Sequence, residues 1–347
     1  MTFAPKKNNF MLRSEFAKLL DSIIIPEGIN QECMESRMLP ISDALMSMLP
    51  QKLYRYRSCS DLNIDAFDKD LIYAVTADKF NDPYDTLVYY NLDSILEQTK
   101  VYCSEEFYNI FKHTLENKDF KFPKDIVQIF GKNNLENLRK KVISNNDIDS
   151  LKLIIFRNTM KYKLIKTMST IGNTLKFVST IACLSESINS VIMWSHYAQN
   201  HEGFALEYDL KFLLRQNNMN CCILPIIYND NRFNANNFLI WVLAKELGID
   251  AKNPDLLSHL KMAIHKSTQW EYEKEWRIIN SEIQPNNTSR VTSLKFIPKA
   301  IYYGERISNA NKKILHNIAK EKGIKEYDMY IDFGSLKYEM LYKSSQI

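Results

Sequence analysis

The sequence predicts an α+β fold: a mixed or antiparallel sheet core with a helical insertion and an N-terminal helical segment. Three observations carry this. Strand-like runs such as LYRYRS at 53–58, LIYAVT at 71–76, FVSTIACLS at 177–185 and FALEYD at 204–209 are short and widely spaced. Between the second and third of them, residues 92–170 are strand-poor and repeat apolar residues at helical spacing. The 347 residues include only 8 Gly and 10 Pro, too few for glycine-turn all-β folds or a glycine-fingerprint dinucleotide domain.

Each element follows from its local pattern. Residues 1–50 read as a helical segment: Phe16, Leu19, Leu20 and Ile23 fall on one helical face, and Pro26 with Gly28 ends that run. A second helix is expected over 31–48, closed by Pro50. Residues 51–347 form the core domain, with strands at 53–57, 71–76, 177–184, 204–209, 221–228 and 274–280. Within it, 92–170 is the helical insertion, about four helices with Asn-rich joints. A short helix is expected at 190–198, and longer ones at 235–247, 254–268 and 308–321. WEYEKEWRII at 270–279 reads as a strand, with Glu273, Glu275 and Arg277 on one face. Further strands are expected near 292–297, 299–304, 325–331 and 335–342.

Composition excludes several function classes. Lys+Arg 45 against Asp+Glu 41 gives +4, which is no strong nucleic-acid charge signature. No run of about 18 apolar residues predicts a membrane span, and the N-terminus lacks the apolar stretch of a signal peptide, so a cytoplasmic location is expected. The six cysteines form no C-x-x-C pair, and no metal site is expected. The phosphate-loop, zincin, nucleophile-elbow and EF-hand patterns are all missing.

Four constellations remain. In WEYEKEWR, two carboxylates two residues apart can divide the work around one electron-poor centre or share a metal; a solvated Glu–Arg strand face is the plainer reading. In INSVIMWSHYAQNHEG, His196 and His201 are five apart, unlike a helical zinc pair, and a hydrogen-bonded structural histidine is their ordinary fate. In NDPYD, Asp82 and Asp85 suit either a hard cation or a side-chain-capped turn. In LYRYRS, Arg55 and Arg57 alternate with Tyr54 and Tyr56; arginines hold phosphate bidentately and tyrosines stack on rings.

Together and in this order, these segments resemble the bacterial domain of unknown function 2971 family. The matching residues are Tyr54-Arg55-Tyr56, Asn81-Asp82-Pro83-Tyr84-Asp85, Cys183-Leu184-Ser185, Met193-Trp194-Ser195-His196-Tyr197-Ala198 with His201-Glu202-Gly203, and Trp270-Glu271-Tyr272-Glu273-Lys274-Glu275-Trp276-Arg277. A second resemblance is to ADP-ribosyltransferases, which carry an early-strand Arg or His, a middle-strand hydroxyl residue and a late-strand Glu in E-x-E. Here those are Arg55, Ser185 and Glu273-Lys274-Glu275.

The second resemblance implies an ADP-ribosyltransferase-like or NAD-glycohydrolase-like effector, with a role in bacterial defence and NAD as substrate. Glu275 would stabilise an oxocarbenium-like ribose, Glu273 would orient the nucleophile, and Ser185 would position Glu275. Arg55 would hold the pyrophosphate, with Tyr54, Trp194 and His196 completing the NAD-binding set. The acceptor, whether protein, nucleic acid or water, is left open. The alternatives are a metal-dependent nuclease or phosphohydrolase using Asp82, Asp85, Glu273 and Glu275, and a non-catalytic binding or sensor module.

Overall fold

A computed structural model of the chain describes residues 11–98, 105–122, 124, 127–128, 131–144, 148–211, 221–246, 252–280 and 291–346. The fold is α+β, as expected. Its centre is a ten-stranded, mostly antiparallel sheet. The strands are β1 (Leu53–Arg57), β2 (Leu71–Thr76), β3 (Thr180–Ser185), β4 (Phe204–Tyr208), β5 (Cys221–Pro225), β8 (Glu275–Asn280), β9 (Val291–Lys295), β10 (Ala300–Tyr303), β11 (Lys325–Tyr330) and β12 (Leu341–Ser344). Two short strands, β6 (Ile227–Tyr228) and β7 (His265–Lys266), pair in parallel beside it. The main path runs β12-β11-β10-β4-β1-β3-β2-β9, and β8 joins β3 to β5 off that path.

The N-terminal helices Arg13–Ser22 and Gln31–Met48 lie where the apolar spacing put them. Phe16, Leu20, Ile41 and Leu45 share one core with Leu184, Leu224 and Trp276 of the sheet, so this segment packs on the core rather than standing apart. In the insertion, the helices Leu92–Gln98, Glu105–Glu116, Lys132–Ser144 and Ile148–Leu175 occur, with no strand among the described residues. Their apolar faces build a second core with the helix Asn236–Glu246, through Leu96, Met160, Leu164 and Leu239.

Three expected elements differ. The strand expected over 270–279 begins only at Glu275; a 3-10 turn, Thr268–Glu273, precedes it and ends at Lys274 in the left-handed region, φ 45°. The reason is pairing: the β3 ladder ends at Ser185 opposite Glu275, with one further bond from Glu186 N–H to the Lys274 carbonyl at 3.2 Å, and there Lys274 turns left-handed out of the sheet. The helix expected over 254–268 is only Ser258–Ala263, because His265 and Lys266 instead pair with Ile227 and Tyr228. The last strand starts at Leu341, later than the 335–342 expectation, leaving Phe333, Leu336 and Tyr338 exposed in the preceding loop.

The H-x-G part of the MWSHYA motif has a structural cause. Gln199, Asn200 and His201 all have positive φ and turn the chain back into β4. There the backbone of Gly203 lies against β1, and a Cβ on it would sit 2.1 Å from the Arg57 carbonyl oxygen. Gly203→Ala is therefore expected to destabilise the protein by about 3 kcal/mol, the upper end of overpacking, because a strand backbone has to shift. Thermal melting of that variant checks this; an unchanged Tm would refute it.

Candidate functional site

The sheet forks at its centre. β1 meets β3 at a single register pair, Tyr54 with Ser185. β2 pairs with the same edge of β3, but only at Thr180 and Ile181. Residues 182–184 thus face neither strand across that edge, and β1 and β2 diverge around them. Arg55 spans the fork, its Nη2 donating to the Tyr73 carbonyl of β2 at 2.6 Å. The opening is a cleft of about 430 Å³, lined by residues of all the motifs read from the sequence: Arg55 and Arg57 of β1, Asn81 and Asp85, Cys183 and Ser185, His196 and Tyr197, and Glu273, Glu275 and Arg277.

The floor of the cleft is a buried chain of charges. Register places Tyr54, Ser185 and Glu275 in one row across β1, β3 and β8. Glu275 and Arg277 point to the same face of β8, as alternation requires. The Arg277 guanidinium is fully buried, donates to both oxygens of Asp85 at 2.8 and 2.6 Å, and donates through Nε to Glu275 at 2.7 Å. A further Nη1 bond goes to the Ala263 carbonyl at 2.7 Å. The NDPYD turn delivers Asp85: Asp82 Oδ1 accepts from the Tyr84 backbone at 2.9 Å, holding the turn so that Asp85 points inward.

Lys266 continues the chain. Its Nζ donates to Glu275 at 2.9 Å and to Glu273 at 2.6 Å. Tyr197 of the MWSHYA helix, Val191–Tyr197, donates its hydroxyl to the other Glu273 oxygen at 2.6 Å. Asn81 Nδ2 lies 3.3 Å from the same hydroxyl. Ser185 anchors the turn, donating to the Glu273 carbonyl at 2.6 Å. Arg13 of the first helix donates to the carbonyl two residues on, that of Glu275, at 2.8 Å.

The two glutamates differ in electrostatics. Burial opposes the charged form of Glu275, but Arg277 and Lys266 overcome it and hold its carboxyl well below the usual range. Burial dominates at Glu273; Glu275 nearby adds to it, and Lys266 only partly offsets it, so its pKa is raised. The consequence for acid stability has a definite sign. Glu275, depressed in the folded state, contributes stability that is present above the unfolded Glu value of about 4.3 and is lost as pH falls through its lower native value. Glu273 acts oppositely, favouring the fold at low pH and less as pH rises through its native value. Glu275→Gln is expected to start less stable and to lose less on acidification below about pH 4. Tm measured against pH for both proteins checks this; parallel curves would refute it.

Where β1 lines the cleft it is positive, with no acid paired to it among the described residues. Arg55 is 7% exposed, and its Nη1 is buried without a hydrogen-bond partner. Arg57 is half-buried and donates to the Tyr56 carbonyl at 3.1 Å. Burial first, then the charge of Arg55, pulls the Arg57 pKa down to about 9. A guanidinium does not give up its proton in proteins, so Arg55 and Arg57 stand side by side as two positive charges.

The sequence-derived site residues are placed as follows. Arg55, Tyr54, Ser185, Glu273, Glu275 and His196 all line the cleft. His196 sits at its mouth, 3.3 Å through Nδ1 from the Tyr272 hydroxyl. Trp194 is corrected: it is fully buried, its indole N–H bonds the Ile188 carbonyl at 2.7 Å, and it does not line the cleft, so it has no face for a ligand. Glu273 does not share a strand face with Glu275; it reaches the same place from the turn, through Lys266. Ser185 grips the backbone of Glu273 rather than the side chain of Glu275. Lys266 and Tyr197 escaped the sequence reading. Lys266 carried no signal beyond being a lysine in the apolar run KMAIHK, and Tyr197 none beyond its place in MWSHYA.

A metal pair is a poor fit to this geometry. The ammonium of Lys266 stands between the two glutamates, and Asp85 is spent on Arg277. Among the described residues no group of three or more His, Cys, Asp or Glu side chains is arranged to hold an ion. No helix among them is long and apolar enough to cross a membrane.

Comparison with known families bears on the same segment. Residues 193–278 match the family model described as protein of unknown function (DUF2971). This is the family the motifs resemble. The matched stretch holds MWSHYA, H-x-G and the E-x-E-W-R strand, and Tyr197, Lys266, Glu273, Glu275 and Arg277 all lie inside it. The DUF2971 match does not extend back to Tyr54-Arg55-Tyr56 or NDPYD, which reach the site only through the fold. No curated protein and no solved structure matches the chain.

Proposed function

We propose that the cleft binds a phosphate-bearing nucleotide, with NAD as the substrate, and cleaves its nicotinamide–ribose bond in the manner of an NAD glycohydrolase or ADP-ribosyltransferase. The observation that carries this reading is that one cleft is lined by both kinds of group. Arg55 and Arg57 have no acidic partner among the described residues, which suits a pyrophosphate. Glu273 lines the same cleft, and burial raises its carboxyl.

The chemistry divides accordingly. The C1′–N bond breaks and its electron pair leaves with nicotinamide. The positive charge left on the ribose is stabilised by the carboxylate of Glu273. A water or acceptor hydroxyl adds to C1′ and gives its proton to Glu273, whose raised pKa suits it to receive one. Tyr197 and Lys266 hold the two oxygens of that carboxylate, and Glu275 holds Lys266. Glu275 is thus reassigned from the reacting carboxylate to a positioning residue: Arg277 and Lys266 hold it well below the usual range, so it does not take up a proton as the raised Glu273 can. Tyr54 and His196 border the nicotinamide end. A defence role and a transfer acceptor belong to the same reading.

Purified protein incubated with NAD is expected to release nicotinamide, and Arg55→Gln to raise KM more than it lowers kcat. Absence of nicotinamide release across water, protein and nucleic-acid acceptors would leave binding without turnover and defeat the catalytic part.

A further inference from the structure

We propose that the ligand passes through the fork in the sheet, with its second organic moiety, of nucleoside size, in a separate cavity on the far side. This rests on the reading of Arg55 and Arg57 as an anion site and adds where the rest of the molecule lies. The second cavity holds about 270 Å³. Its wall includes Arg55, Arg57 and Val75, and the same three residues line the first cleft. The two spaces therefore share the wall that these residues form. They do so where β1 and β2 separate, so no ladder of backbone hydrogen bonds closes the passage between them.

The chemistry of the two chambers differs. The first is lined by carboxylates and Lys266. The second is lined by Phe67, Tyr73, Leu206, Tyr208 and Leu62, with Asn63 as its one amide. Asn63 uses its Nδ2 on Ser58, through the carbonyl at 3.1 Å and the hydroxyl at 3.0 Å, which leaves Oδ1 to accept from a ligand. An aromatic and aliphatic chamber with one free acceptor suits a planar base carrying an amino group. Between the chambers, the buried and unpartnered Arg55 Nη1 awaits an acceptor oxygen. A molecule with an organic group on each side of a pyrophosphate satisfies all three places at once. A monosubstituted phosphate would fill the fork and only one chamber.

The test uses full-length protein and calorimetric titration with inorganic pyrophosphate, ADP and NAD. ADP should bind at least tenfold more tightly than pyrophosphate, since it adds the base to the anion. Two variants close the second chamber: Leu62→Trp at its exposed rim and Ala66→Met at its floor. Each should weaken ADP and NAD at least tenfold and leave pyrophosphate within twofold. Two variants are used so that one failing to fold, judged by its melting curve, leaves the other. If pyrophosphate binds wild type but ADP binds no tighter, or folded variants bind ADP normally, the second chamber is not a subsite. The anion reading of the fork then survives. If pyrophosphate itself fails to bind, the anion reading fails and this inference falls with it.

Discussion

Arg277→Met is expected to lower stability by about 3–5 kcal/mol, a large share of the roughly 5–15 kcal/mol that holds an ordinary protein folded. The guanidinium is completely buried and makes two bonds to Asp85, bonds to Glu275, and one to a backbone carbonyl. Methionine fills most of the volume but leaves two carboxylates, Asp85 and Glu275, with one cation, Lys266, bonded to only the second. Removing one partner of a buried network strands the others, and that stranding is the larger part of the effect. The double variant with Asp85→Asn should recover part of the loss, because it withdraws one stranded charge. Chemical denaturation of the single and double variants measures both. A single variant within about 1 kcal/mol of wild type would mean that the network contributes little to the fold.

Glu273→Gln is expected to keep the fold and reduce nicotinamide release by about 10²-fold or more, the scale of losing one preorganised electrostatic group. Gln preserves the shape and can still accept from Tyr197. It removes the charge that would face the developing positive ribose. Glu275→Gln should behave differently. Its carboxylate is tied to Arg277 and Lys266, so its loss should appear first in melting temperature and only secondarily in turnover. Side-by-side Tm and turnover for the two variants separate the roles. If Glu275→Gln alone abolishes turnover at an unchanged Tm, the assignment of the reacting carboxylate reverts to Glu275.

Much of the architecture was legible because it depends on local patterns. Alternation in LYRYR and LIYAVT, helical spacing at Phe16, Leu20 and Ile23, and the strand-poor run after Leu92 are properties of neighbouring residues, and the elements sit there. Element ends were less legible where a distant partner decides them. Whether residues 270–274 extend depends on where β3 stops, and His265 leaves its helix because Ile227 offers an edge.

The site divides along the same line. By itself the sequence determined which residues are chemically able: Arg55, Glu273, Glu275 and Arg277 are charged residues interleaved with aromatic ones in strand-like runs, and that combination marks them as partnered or functional. Only the tertiary structure decided who partners whom. Asp85 lies 192 positions from Arg277 along the chain, and no local rule joins them. The same holds for the division of labour between the glutamates. In E-x-E they read as neighbours on one strand face with Glu275 the reacting carboxylate, but β8 buries Glu275 between two cations, while Glu273 reaches the cleft from the turn before it. The physical reason is that pKa and reactivity follow from desolvation and the nearest charges, and those are set by chain segments that meet only after folding.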